Sequence, residues 1–130
     1  MYTTNYIDTF IEIANDCSAT TGTPPPQKEV KTAARIEYEM LLGYPYQYTS
    51  DDVLYQSNGH RRGISREDFF SKNQPCFRAS ALCKRYGWGV HNNDKGKIAI
   101  YAVGTPDYIR LVADKSIKHI SAMCSSKKSV

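Results

Sequence analysis

The stretch from Gln74 to His91 is the densest in side chains that can do chemistry. It holds Cys76, Arg78, Ser80, Lys84, Arg85, Tyr86, Trp88 and His91. An imidazole titrates near neutral pH, so His91 suits general-base work. Cys76 can act as a nucleophile where a histidine and a cation depress its pKa. Asp51 or Asp52 could orient that histidine. This Cys-His-Asp set exists by inventory, since nothing in the spacing requires the groups to meet.

The same stretch suggests a surface. On an alternating strand Gly87, Gly89 and His91 share one face. Two glycines beside an imidazole leave a low strip that a ligand or another chain can approach. Trp88 and Val90 then point to the core. The functional reading is a shallow pocket floored by glycine, with His91 and a cation at its edge. The opposed reading is a bend in a twisted strand that ends at an exposed histidine.

Other constellations are weaker. Arg61, Arg62 and Arg66 lie beside aromatics and could bind phosphate, since arginine makes bidentate contacts with planar anions. An arginine run at a helix end is also simply solvated. Asp51-Asp52 at a helix start read as capping residues before they read as a metal or acid–base pair. A metal site from His60, His91 and His119 would need distant segments to converge. There is no Gly-rich phosphate loop, nucleophile elbow or H-E-x-x-H motif.

These groups must be positioned by a chain of 130 residues with net charge +4, near the commonest size for one domain. The mild positive charge mainly favours solubility. The polar start, Met1-Tyr2-Thr3-Thr4-Asn5, has no apolar run behind it, so no secretory signal is read. No stretch approaches the roughly 18 apolar residues of a membrane span. A cytoplasmic protein is expected. Cys17, Cys76, Cys83 and Cys124 form no C-x-x-C pair, and free thiols are the default.

The elements follow from periodicity and punctuation. Residues 9–14 alternate as a strand, with Thr9, Ile11 and Ile13 on one face and Phe10 and Glu12 on the other. The loop 18–26 ends in three prolines. A helix is expected over 28–42, with Val30, Ala33, Ala34, Tyr38 and Leu41 on its apolar stripe and Arg35 paired to Glu39. Gly43 and Pro45 stop it. The stretch from Thr49 to Asp52, a hydroxyl cap followed by carboxylates, starts a second helix running from Asp51 toward Ser57, which Asn58-Gly59 should fray or break. Ser65 opens a short helix, and residues 79–85 make a helical turn or two. Residues 87–103 form a hairpin around Asn92-Asn93-Asp94-Lys95-Gly96. Thr105-Pro106-Asp107 start another helix, with Tyr108, Leu111 and Val112 on its stripe. Beyond Asp114, Ile117, Ile120 and Cys124 could continue a helix.

Several blocks resemble an uncharacterised family of small, mainly bacterial proteins carried as a domain of unknown function. They are Asn5-Tyr6 leading to Thr9-Phe10-Ile11, Asp16-Cys17, Tyr48-Thr49-Ser50-Asp51-Asp52-Val53-Leu54, Phe69-Phe70-Ser71-Lys72, Gln74-Pro75-Cys76-Phe77-Arg78, and Lys84-Arg85-Tyr86-Gly87-Trp88-Gly89-Val90-His91. The likeness spans about residues 5–112. It implies one compact domain with no known activity and no catalytic residues to carry over. The chain departs from the pattern at Ser18 and Ala81, where proline is expected, and at Asn58-Gly59-His60, where an uninterrupted helix is expected.

The expected architecture is α+β. Three or four helices pack on one face of a small, mainly antiparallel sheet, with the 87–103 hairpin central and strand 9–14 beside it. Residues 1–115 form the domain, and 116–130 a tail that is partly helical or disordered. The function expected is a small ligand- or protein-binding domain using the 74–91 region, with Cys76, Arg78, Lys84, Arg85, Trp88, His91 and Asp51 as binding candidates. The alternatives are a small enzyme with a Cys76/His91 centre and a nucleic-acid accessory protein using Arg61, Arg62 and Arg66. No cofactor, metal or membrane partner is expected.

Overall fold

The computed structural model describes residues 1–125. Strand β1 (Thr9–Glu12) is followed by helix α1 (Ala33–Gly43) and helix α2 (Ser50–Leu54). From α2 the chain runs without a break into a π-helical turn, Tyr55–Gly59, and a 3-10 turn, His60–Arg62. Helix α3 (Arg66–Phe69), a 3-10 turn at Phe77–Ala79 and helix α4 (Ala81–Lys84) come next. Strands β2 (Trp88–Asn92) and β3 (Ile98–Ala102), helix α5 (Pro106–Ala113) and strand β4 (Lys118–Ser121) complete the order.

Every α-helix starts at a local hydroxyl cap, which made the starts near Thr49, Ser65 and Thr105 legible but not that of α1. Thr32, Thr49, Ser65, Ser80 and Thr105 each accept a first-turn backbone N–H with their side chain. Thr49 and Asp52 form a reciprocal capping box. Helix α1 starts five residues later than the 28–42 span implies, so Val30 lies outside it, exposed, and off the apolar stripe. Arg35 and Glu39 do pair, at 2.6 Å.

The fold is α+β, as expected, but the sheet is mixed. Its order is β3-β2-β1-β4, with β1–β2 and β2–β3 antiparallel and β1–β4 parallel. The hairpin therefore supplies one central strand and one edge. The expected helix through Ile117, Ile120 and Cys124 is instead β4. Ile117 packs with Phe10 and Tyr108, and Ile120 packs with the larger core, so these residues, three apart, serve opposite faces. An odd separation across a sheet mimics helical spacing in the sequence. The last residues, 126–130, part of the expected tail, lie outside the described residues.

A parallel strand needs a crossover, and α5 is that crossover between β3 and β4. It covers the second face of the sheet, so helices pack on both faces rather than one. Phe10, Tyr108 and Leu111 form the small core there. Ile13 joins them instead of sharing a face with Ile11, because β1 has ended and the Ile13 N–H donates to the Tyr108 hydroxyl at 3.0 Å. The larger core lies on the other face. Ile11, Val90, Ile98 and Ile100 of the sheet meet Tyr38 and Leu41 of α1, Leu54 of α2 and Leu82 of α4.

Candidate functional site

Helix α1 buries Ala34, Glu37, Tyr38 and Leu41 on one stripe. Glu37 is the chemical exception in that stripe, a carboxyl only 3% exposed. Ser80, the cap of α4, donates its hydroxyl to Glu37 Oε1 at 2.7 Å. Ser57, in the π-helical turn, donates to Oε2 at 2.8 Å. The carboxyl thus ties three elements together. Among the described residues no cation lies within ion-pair distance of it. Burial pushes the Glu37 pKa above its ordinary value, against the pull of Ser80, Ser57, Asn58 and Arg61.

Glu37 lines an open cavity of about 500 Å³. Ala33 and Ala34 of α1, Leu54, Phe69, Pro75, Ala79 and Ala81 give it an apolar wall. Asn58, Arg61, Arg62, Gln74, Cys76 and Ser80 supply the polar groups. The volume falls in the range of small-molecule sites, and apolar and polar residues share the lining evenly. A carboxylate offers about four lone-pair positions, of which the serines use two and the Asn58 amide approaches another. What remains can accept from a ligand N–H or exchange a proton.

The π-helical turn shapes this cavity. Asn58-Gly59 does not break the helix as expected, because Gly59 lets two rings close over it. A Cβ at Gly59 would sit 2.7 Å from Tyr55 Cδ1 and 2.9 Å from Phe69 Cδ1. Asn58 donates its side-chain N–H to the Leu54 carbonyl and to Ser57 Oγ, holding the turn. The widened turn then delivers Arg61 and Arg62 to the cavity rim. Single-turn π insertions are frequent at functional sites.

Of the residues picked out in the sequence, Cys76 lies in this cavity. Its sulfur is 3.4 Å from the Tyr6 hydroxyl, whose pKa burial, aided by that contact, pushes up to about 12. Arg78 donates from Nε to the Ser121 carbonyl at 2.8 Å and fixes the end of β4. Trp88 is a core residue that donates from Nε1 to the Thr23 carbonyl at 2.8 Å and meets Tyr38 edge-on. Lys84 and Arg85 end α4, away from the cavity lining. Asp51 latches the N-terminus. It accepts from the Thr3 hydroxyl and from both the N–H and the hydroxyl of Thr4, each at 2.7 Å.

The glycine strip is closed. A Cβ at Gly89 would lie 2.6 Å from Phe10 Cζ and 2.8 Å from Tyr108 Cε2, so ring atoms fill the space that looked open. Gly87 is covered by Ala19 and Thr21. His91, on that same face, is half-buried, and its Nδ1 is 2.7 Å from the Tyr46 hydroxyl, which is 2.7 Å from that of Tyr101. Burial pushes the His91 pKa below its ordinary value. Cys76 belongs to the helices on the opposite face, and among the described residues no hydrogen bond joins it to His91.

The arginine trio divides. Arg66 pairs with Asp52 at 2.9 Å and lies over the Tyr55 and Phe70 rings. Arg61 and Arg62 each use one N–H on a backbone carbonyl, of Lys31 and Asn58. Among the described residues neither makes an ion pair. No group of His, Cys, Asp and Glu among them is arranged to hold a metal, and no helix is long and apolar enough to cross a membrane.

Sequence reasoning missed Glu37, although a signal existed. It stands three residues after Ala34 and four before Leu41, on the stripe read as apolar. A carboxylate there either disrupts the core or is kept for a purpose.

The chain belongs to a family of unknown function, DUF6157, whose model matches residues 1–128. That match extends beyond the 5–112 span of the motif resemblance and takes in β4. No curated protein and no solved structure matches the chain.

Proposed function

We propose that this member of a family of unknown function is a small-molecule-binding domain. Its ligand occupies the cavity between α1, the π-helical turn and residues 74–81. The observation that carries the reading is the buried Glu37 carboxyl at the edge of an open cavity of about 500 Å³. A purely structural role would be served by an apolar side chain, because burying a carboxyl without a cation costs several kcal/mol on the order of magnitude of ion desolvation. A ligand that meets the carboxyl offsets that cost when it binds. The 74–81 half of the region picked out in the sequence contributes Gln74, Cys76 and Ser80 to the lining.

The test is a thermal-shift screen of small amines, carboxylates, phosphates and neutral sugars, on the full chain and on Ala33→Trp. The indole of that variant fills the cavity from its rim. A binder present at about 100 times its Kd stabilises the folded state by about 2.7 kcal/mol. The expected result is a compound that raises the melting temperature of the natural chain and leaves Ala33→Trp unmoved. Compounds that shift both proteins equally, or a screen with no shift, would overturn the reading.

A further inference from the structure

We propose that the cavity takes a small zwitterion, with its anionic group, carboxylate or phosphate, at Arg61 and Arg62 and its amino group facing Glu37. This ligand class rests on the binding reading above. Its cationic pole is set by the carboxyl. Glu37 has no ion-pair partner among the described residues, and Ser57, Ser80 and the nearby Asn58 amide still leave its carboxyl an acceptor position. An ammonium is the partner whose charge a buried carboxylate lacks.

The anionic pole is set by the rim. Arg61 and Arg62 follow each other in the 3-10 turn that continues the π-helical turn, and they line the same cavity. Each guanidinium is tethered by one N–H to a backbone carbonyl, Lys31 for Arg61 at 3.1 Å and Asn58 for Arg62 at 2.7 Å. A guanidinium carries five N–H donors in a planar fork, so most of each remains for a carboxylate or phosphate. The tethers hold the forks in place, which lowers the ordering cost of binding. The start of α1 lies at the same rim through Ala33 and Ala34, and no acidic side chain stands in its first turn. One cavity therefore offers a negative pole at its buried end and a positive pole at its mouth. The apolar wall between them, with Leu54, Phe69 and Pro75, suits a short hydrocarbon spacer.

The experiment is a ruler. Straight-chain ω-amino acids of increasing length are titrated against the full chain at low salt, followed by chemical-shift changes. Each is compared with the alkylamine and the alkylcarboxylate of the same length. Hydrogen bonds to charged groups are worth about 1.5–3 kcal/mol, so the best ω-amino acid should bind at least about tenfold more tightly than either monofunctional analogue. Glu37→Gln should reduce it to the level of the carboxylate. Arg61→Ala with Arg62→Ala should reduce it to the level of the amine. The comparison among probes on the natural chain stands even where a variant folds poorly. The proposal is overturned if the carboxylate alone binds as tightly as the amino acid and Glu37→Gln changes nothing. It is also overturned if no amino acid binds while other compounds bind and lose that binding in Ala33→Trp; the binding reading then survives. If no compound of any class binds, both fall.

Discussion

Replacing Gly59 with alanine sets two known effects against each other at the site. Alanine is favoured over glycine in a helix interior by about 1 kcal/mol. Against this, the added Cβ would stand 2.7 Å from Tyr55 Cδ1, 2.9 Å from Tyr55 Cε1 and 2.9 Å from Phe69 Cδ1. Neither ring is free to swing away. The Tyr55 hydroxyl donates to the Ile64 carbonyl at 2.8 Å. Phe69 is 3% exposed and meets Phe70 edge-on with centroids 4.9 Å apart. Overpacking of this kind costs about 1–3 kcal/mol, so after the propensity gain a net loss of up to about 2 kcal/mol, centred near 1, is expected. For a chain of this size that lowers the melting temperature by roughly 3–5 °C per kcal/mol. Gly43→Ala is the control, because nothing lies within 4 Å of a Cβ there. It should be neutral or gain up to about 1 kcal/mol. Both variants are read by urea unfolding, with the slope m checked for constancy. A Gly59→Ala protein as stable as the natural chain, or more so, would refute the argument that close packing dictates this glycine.

Two further substitutions test the electrostatics and the N-terminal latch. Glu37 has its folded pKa raised above the ordinary 4.5. The folded state therefore binds more protons, and stability is fully present below pH 4.5 and falls as pH rises through the folded pKa. Urea midpoints of Glu37→Gln, measured against pH, should gain on the natural chain across that window and run parallel above it. A gain that grows as pH falls would contradict this sign. Asp51→Ala removes the acceptor for the Thr3 hydroxyl and for the N–H of Thr4, 4% exposed, whose hydroxyl keeps Ser50 Oγ at 2.9 Å. A loss of about 2–3 kcal/mol is expected in urea unfolding, with faster proteolysis of the first residues; a loss under about 0.5 kcal/mol would make the latch incidental.

Features that depend on neighbours a few residues away were legible in the chain alone. The caps at Thr49, Ser65 and Thr105, the 88–102 hairpin and the core side of Trp88 and Val90 all follow from local hydrogen bonds or period-2 alternation. Cys76 was marked by its chemistry, and it does line the cavity. The remaining features depend on contacts between segments far apart in the chain. Whether Gly89 leaves a floor or receives a ring depends on Phe10 and Tyr108, which the chain brings there from a different strand and a different helix. Whether Ile117 and Ile120 belong to a helix or a strand depends on β1 offering a parallel edge. Glu37 gains its meaning from Ser57 and Ser80, 20 and 43 residues away. A carboxyl on an apolar stripe is only a chemical oddity until distant hydroxyls and an open space are folded around it. Periodicity records which way a side chain points, whereas occupancy of the space it points into is set by segments remote in the chain.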